Sequence, residues 1–342
     1  MLARAPWLGQ PMQFDQLKRR EFITLFGGAV GWPVGVMAQQ SRMPVIGLLS
    51  GSSPGAIPHL MTAFRRGVAD AGFIEGQNVE IDSRWADGRV DRLPEMAVEL
   101  VRRQVALIAA LGPPASLATK AVTNTIPIVF LSGGDVVKSG LVVSLNRPGG
   151  NATGVNLFTQ AVENKKLDLL SKLLPARATL AFLLNPKNPA AEEKAKEMQD
   201  AARGRSQELR ILGASTSDEI DAVFVRLVQE RVAALVIMAD QYFDDSMRAK
   251  FIALAARNAI PAIYGQREYA VEGGLISYGT NLAEAYRLTG NYAGRILGGA
   301  KPDDLPVLRP TKFEMVINLK TAKALGLDIP PGVLAIADEA IE

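Results

Sequence analysis

The 342 residues include no cysteine and a single histidine, and 48% of them are hydrophobic. A disulfide framework, a zinc site of Cys and His ligands and a cysteine nucleophile are thereby excluded, and stability has to come from buried cores, for which the chain is long enough to build two domains. The formal charge is +3; residues 1–38 carry Arg4, Lys18, Arg19 and Arg20 against Asp15 and Glu21, so about +1 remains beyond them. With no basic run interleaved with aromatics there, no nucleic-acid partner is expected.

The first segment, Lys18-Arg19-Arg20-Glu21-Phe22-Ile23, leads into an apolar, glycine-rich run and ends on Val36-Met37-Ala38 before Gln39. A paired arginine, a short hydrophobic stretch and a small residue before a polar start predict an export signal of the twin-arginine type over 1–38, cut after Ala38, and hence a periplasmic protein. Gly27, Gly28, Gly31, Pro33 and Gly35 interrupt the run, which falls short of the ~20 residues of a membrane span. A retained N-terminal anchor is the alternative.

From Pro44 onward, β-branched runs alternate with amphipathic stretches, the pattern of a parallel sheet with crossover helices. Residues 45–49 read as a buried strand, 59–71 as a helix with Leu60, Phe64 and Val68 on one face, 79–85 as a strand, 94–103 as a helix and 105–111 as a strand. A short helix over 116–122 and a fourth strand over 128–131 follow. His59, just after Pro58, reads as a helix-start surface residue. The passage from Ser132-Gly133-Gly134-Asp135 to Thr153-Gly154-Val155 is glycine-rich and marks a boundary.

A second alternating series then runs without residue-level repetition: a helix to 174, strand 180–184, helix 190–203, strand 209–212, helix 217–230, strand 234–238, helix 244–258 and strand 261–264. Strand 275–278, helix 281–297, a connector bearing Pro302, Pro306 and Pro310, and a strand and helix over 313–325 complete the chain. The fold class is α/β, with two domains, each on a parallel sheet.

In open α/β sheets small ligands bind beyond the carboxyl ends of the strands. The candidate loops carry Ser50, Ser52, Ser116, Ser132 and Asp135 in the first half, and Asn185, Asp240, Tyr242, Tyr264 and Glu268 in the second. Small hydroxyl residues and glycines let helix N-termini present N–H groups to an anion such as a ligand carboxylate; Ser116 and Ser132 suit that role, as ligand contacts, as helix caps, or as both. Asp240 is the first choice to accept a ligand ammonium, although it also fits an N-cap for the helix that follows, and Asp135 is the second. Tyr242, Phe243, Tyr264, Tyr269 and Tyr278 could wall an aromatic ligand group, although Tyr278 suits packing between the lobes. Glu268 either adds a carboxylate to the cleft or pairs at the surface. Gly133-Gly134-Asp135-Val136-Val137-Lys138-Ser139 lacks the glycine that a phosphate loop needs before its lysine.

Four stretches together carry a family likeness. They are Lys18-Arg19-Arg20-Glu21-Phe22-Ile23-Thr24, Gly72-Phe73-Ile74-Glu75-Gly76-Gln77-Asn78-Val79, the run from Ser144-Leu145-Asn146-Arg147-Pro148-Gly149-Gly150 to Gly154, and the segment from Phe313-Glu314-Met315-Val316-Ile317-Asn318 to Gly326. The chain resembles ABC-transporter substrate-binding proteins related to the tryptophan/tyrosine-binding type. That resemblance implies a type I periplasmic binding protein with two Rossmann-like lobes and a three-crossover hinge, closing around a small solute that it delivers to a membrane permease. It places the loops around Ser50, Ser116, Ser132, Asp135, Asn185, Asp240 and Tyr264 at the cleft. Val136, where proline commonly follows the aspartate, and Gly112-Pro113-Pro114-Ala115, in place of a glycine-threonine loop, depart from the family pattern at the ligand-facing edge.

The resulting expectation is lobe 1 over 44–155 plus 275–308 and lobe 2 over 156–274 plus 309–342. The protein is expected to be an exported, monomeric solute-binding component of an ABC importer, with no cofactor, no metal and no catalysis, taking an amino-acid-like or carboxylate-bearing ligand. A sensory binding subunit and a carboxylate-based enzyme using Asp135, Asp240 or Glu268 are the alternatives.

Overall fold

The computed structural model describes residues 43–342 apart from Phe158, Ala176, Arg177 and Pro189, and the side chains of 159–161. The expected export signal lies outside the described residues. Among them, no helix is long and apolar enough to cross a membrane.

Lobe 1 begins with β1 (Val45–Ser50), α1 (Pro58–Asp70), β2 (Glu80–Trp85), α2 (Leu93–Arg102), β3 (Leu107–Leu111), α3 (Pro113–Val122), β4 (Ile128–Ser132) and β5 (Ala152–Asn156). Its five strands form a parallel sheet in the order β2-β1-β3-β4-β5. β3 and β4 are buried throughout because helices cover both faces, which is why they appear in the sequence as unbroken apolar runs. Leu48, Phe64 and Leu107 pack one face, and Leu100, Ile108 and Phe130 the other.

Two local readings are corrected here. α3 starts at Pro113, earlier than residue 116, because Gly112 at φ 101° turns the chain and two prolines then occupy the first turn, where a missing N–H is tolerated. The boundary passage ends in a fifth strand, β5, whose Gly154 lets the backbones approach: a Cβ there would stand 2.0 Å from the Phe130 carbonyl oxygen.

Lobe 2 runs through α4 (Thr159–Leu173), β6 (Leu180–Leu184), α5 (Ala191–Arg203), β7 (Leu209–Gly213), α6 (Ser217–Gln229), β8 (Ala234–Ile237), a π-helical turn (Phe243–Met247), α7 (Arg248–Arg257), β9 (Ala262–Tyr264), α8 (Arg267–Val271) and β10 (Ile276–Thr280). The chain returns to lobe 1 for α9 (Leu282–Leu297) and ends in lobe 2 with β11 (Phe313–Asn318), α10 (Leu319–Ala324), α11 (Pro331–Leu334) and β12 (Glu339–Ile341). The second sheet has seven strands in the order β12-β11-β10-β9-β8-β6-β7.

β10 therefore belongs to lobe 2, and the expectation that 275–308 travels as one block with lobe 1 does not hold for this strand. It pairs parallel with β9 and antiparallel with β11. Only α9 and the connector after it join lobe 1. Two glycines make the α1–α9 contact tight: a Cβ at Gly67 would meet the Arg287 carbonyl oxygen at 1.8 Å, and one at Gly290 the Phe64 carbonyl oxygen at 2.0 Å.

Three segments cross between the lobes: after β5, after β10 and before β11. Backbone bonds tie the crossings to their neighbours. Leu308 accepts from Asn156 N at 2.8 Å and donates to Gly154 O at 2.9 Å, while Asn281 N donates to Lys312 O at 3.1 Å.

Candidate functional site

The loops that follow the strands of one sheet meet those of the other. Gln241, after β8, lies against Gly51 after β1 and Gly112 after β3. His59 Nε2 of α1 stands 2.9 Å from Glu268 Oε1 of α8, and Lys138 Nζ 3.0 Å from Glu193 Oε1 of α5. A cleft closed by post-strand loops of both lobes is the outcome that parallel βα units produce when two such sheets face each other.

On the lobe 1 side, Ser50, Ser52, Ser116 and Ser132 are all buried. Ser50 Oγ accepts from Ser52 N at 3.2 Å, and Ser132 Oγ from Gly134 N at 3.5 Å. Ser116 lies within the first turns of α3, where its hydroxyl donates to Gly112 O at 2.8 Å. The N-terminus of α3 offers an anion little, because Pro113 and Pro114 lack N–H groups and Ser116 N already donates to Gly112 O at 3.0 Å. Asp135 is exposed and its Oδ1 accepts from Val137 N and Lys138 N at 3.0 and 2.9 Å, the geometry of a turn cap. Of these four hydroxyls, that of Ser52 is buried and, among the described residues, makes no hydrogen bond of ordinary geometry, standing beside the Asp245 carboxylate of lobe 2.

On the lobe 2 side, Asp240 is already occupied. Its carboxylate accepts from Asn185 Nδ2 at 3.1 Å, Asn188 Nδ2 at 2.7 Å and Phe243 N at 3.2 Å. It thus caps the helical turn after β8 and fastens it to the loop after β6. Tyr242 is half-buried beside Phe243, and burial raises its phenol pKa.

Tyr264 does not face the cleft. It stacks on Tyr269 with ring centroids 4.2 Å apart and planes at 12°, fully buried in the core, and among the described residues its hydroxyl has no hydrogen-bond partner. Burial raises its pKa as well. Tyr278 stacks on Phe313 at 6.1 Å, beside the crossing into β11.

The residues that sequence reasoning passed over form an acidic cluster on the π-helical turn. A π turn inserts one residue into a helix and redirects the side chains around it. Asp244 is buried, and its carboxyl is held well above the usual range by burial, then by Asp245 and Asp240. Asp245 is half-buried and reaches toward lobe 1. Burial raises its pKa, while the nearby Ser52 hydroxyl and the Arg248 guanidinium pull it back down. Tyr286 of α9 stands on the same side, its phenol raised by burial and by Asp245.

Beneath the cluster, Lys166 Nζ is 3.0 and 3.1 Å from the two oxygens of Glu163 and 3.2 Å from Ile237 O, with both side chains buried. The Asp244-Asp245 doublet was the only sequence signal for this cluster. Among the described residues no group of His, Cys, Asp and Glu is arranged to hold a metal. Two surface hollows, one lined by Leu319, Lys323 and Leu334 and the other by Pro94, Glu99 and Val122, include none of the loop residues named above.

Comparison with known proteins agrees with this architecture. The tyrosine-binding protein of Clostridioides difficile (strain R20291) is 28% identical over 264 residues, which cover 77% of this chain and 75% of that protein. The structure of an ABC domain in complex with L-Trp from Streptococcus pneumonia has a TM-score of 0.78 at 23% identity, covering 87% of this chain and 99% of the other. The ligand-free, open structure of a substrate binding protein with adhesive properties from Clostridium difficile has a TM-score of 0.65 at 24% identity, with 87% and 99% covered. The family model described as ABC transporter substrate binding protein matches residues 42–341. Nearly the whole described chain is thus accounted for by one family, and the protein belongs to the ABC transporter substrate-binding proteins.

Proposed function

We propose that this protein is exported, binds an aromatic amino acid or a close analogue between its lobes, and presents it to an ABC permease in the inner membrane. The observation that carries the reading is that a lobe 2 carboxylate, Asp245, and a buried lobe 1 hydroxyl, Ser52, stand beside each other across the cleft. A zwitterion needs an acceptor for its ammonium and donors for its carboxylate, and buried groups lacking either partner are penalised by ~1–3 kcal/mol. In this reading Asp245 receives the ammonium and Ser52 and Ser132 meet the carboxylate. Asp240 is assigned the support of the turn that presents Asp245, together with Asn185 and Asn188. The named ligands of the relatives, tyrosine and L-Trp, support an aromatic side chain.

Ligand would shift the population of open and closed forms by touching both walls. Titration calorimetry of the mature protein with L-tryptophan and L-tyrosine tests the proposal. Asp245→Asn is expected to weaken binding by ~10- to 100-fold, the loss of one hydrogen bond between charged groups. Unchanged affinity in that variant removes Asp245 from the ammonium site, and no binding of either amino acid to the unaltered protein overturns the ligand class.

A further inference from the structure

We propose that Gln241 is a key, and Gly51 with Gly112 its notch, and that their fit sets how far the lobes close, making Gln241 a positioning residue for ligand capture. This rests on the reading of the cleft as the ligand site. Gly51 and Gly112 follow β1 and β3, which are neighbours in the lobe 1 sheet, and the side-chain amide of Gln241 enters between them from lobe 2. A Cβ on Gly51 would stand 2.7 Å from Gln241 Oε1, and one on Gly112 3.1 Å from the same atom. Both contacts are made by the outer end of the Gln241 side chain, so a Cβ at either position displaces the amide from its seat.

The two glycines have different reasons to be glycine. Gly112 sits at φ 101°, a conformation that itself favours glycine, whereas Gly51 is not among the residues with positive φ. Its missing side chain leaves the space that the amide occupies.

The walls of the notch are stiff. Gly51 O accepts from Gly88 N at 2.8 Å and Ser52 O from Asp87 N at 3.1 Å, so the loop after β2 holds the loop after β1. Gly112 N donates to Leu131 O at 2.8 Å, and Gly112 O takes both the backbone N–H and the hydroxyl of Ser116. The backbone that carries the key is held from behind, since the preceding Asp240 is bound by Asn185, Asn188 and Phe243 N. When a side chain is added to the notch, the amide has to give way or the lobes have to stay further apart.

The chain has no cysteine of its own, so spin labels can be confined to Glu95→Cys on α2 and Ala222→Cys on α6, both exposed and one in each lobe. Pulsed electron resonance gives the lobe-to-lobe distance without ligand and with saturating L-tryptophan or L-tyrosine, and circular dichroism melts confirm folding. In whichever condition the unaltered protein closes, Gly51→Ala is expected to lower the closed-to-open ratio by about five- to tenfold. Adding Gln241→Ala to Gly51→Ala is expected to return the ratio to that of Gln241→Ala alone, because the obstruction has lost its partner.

If Gly51→Ala does not fold, Gln241→Asn, which withdraws the amide by one methylene and leaves lobe 1 untouched, is expected to lower the ratio in its place. Closure of these variants to the unaltered extent, additive effects of the two substitutions, or no closed population of the unaltered protein in any condition overturns the proposal. Should neither amino acid move the distances while Gly51→Ala still shifts the ligand-free ratio, the ligand reading fails and the notch stands.

Discussion

Replacing Lys166 by Met keeps the length of the side chain and removes the charge that neutralises Glu163. Both residues are buried, at 0% and 2% exposure, and both Glu163 oxygens lie within 3.1 Å of the ammonium. Without the lysine, the Glu163 carboxylate keeps, among the described residues, a long bond of 3.4 Å from Ala239 N. Breaking one side of a buried pair leaves an uncompensated charge and costs about 3–5 kcal/mol, whereas neutralising both partners often costs little. Lys166 also lowers the carboxyl of Asp244, so its loss favours the protonated form of that residue as well.

Urea denaturation at pH 7, followed by circular dichroism, should therefore show Lys166→Met less stable by about 3 kcal/mol or more, with Glu163→Gln/Lys166→Met regaining most of that loss. A loss below about 1 kcal/mol for the single variant, or a double variant no better than the single, would show that the pair does not act as a buried ion pair.

Asp244→Asn tests the acidic cluster through pH. A carboxyl held above its unfolded pKa of about 3.9 binds a proton in the folded state that the unfolded chain has released, so its contribution to stability is complete below that pH and is lost as pH rises through the folded value. The variant should melt higher than the unaltered protein at pH 8 and alike at pH 4; an equal shift at both pH values refutes the account. Gly67→Ala should destabilise lobe 1 by about 3 kcal/mol, because a Cβ 1.8 Å from the Arg287 carbonyl oxygen pushes α9 off α1. A melting temperature unchanged by that substitution would mean that the helices separate freely.

Strands buried on both faces were legible in the sequence because nothing interrupts their apolar runs, as in Leu107–Leu111 and Leu180–Leu184. β5 was not, because Ala152-Thr153-Gly154-Val155-Asn156 is small and polar and is a strand through close backbone contact with β4. The sheet to which β10 belongs depends on partners distant in sequence, and a strand followed by a helix looks the same in either lobe. At the site, loop positions after strands were legible and side-chain directions were not. Ile263 and Tyr264 are adjacent in β9 and pack on opposite faces, so the choice between cleft and core for Tyr264 turned on a parity that composition does not reveal. Asp245 was missed because it lies on a π turn, which leaves no periodicity of its own in the sequence.

The thrice-crossing chain also bears on biosynthesis. The face of α1 that carries Gly67 remains uncovered until α9 has been made, more than 200 residues later, so a growing polypeptide cannot finish its first half before most of its second half exists. Maturation of the two halves is thereby interlocked, and a product truncated after Thr280 would expose an apolar helix surface that chaperones and proteases recognise.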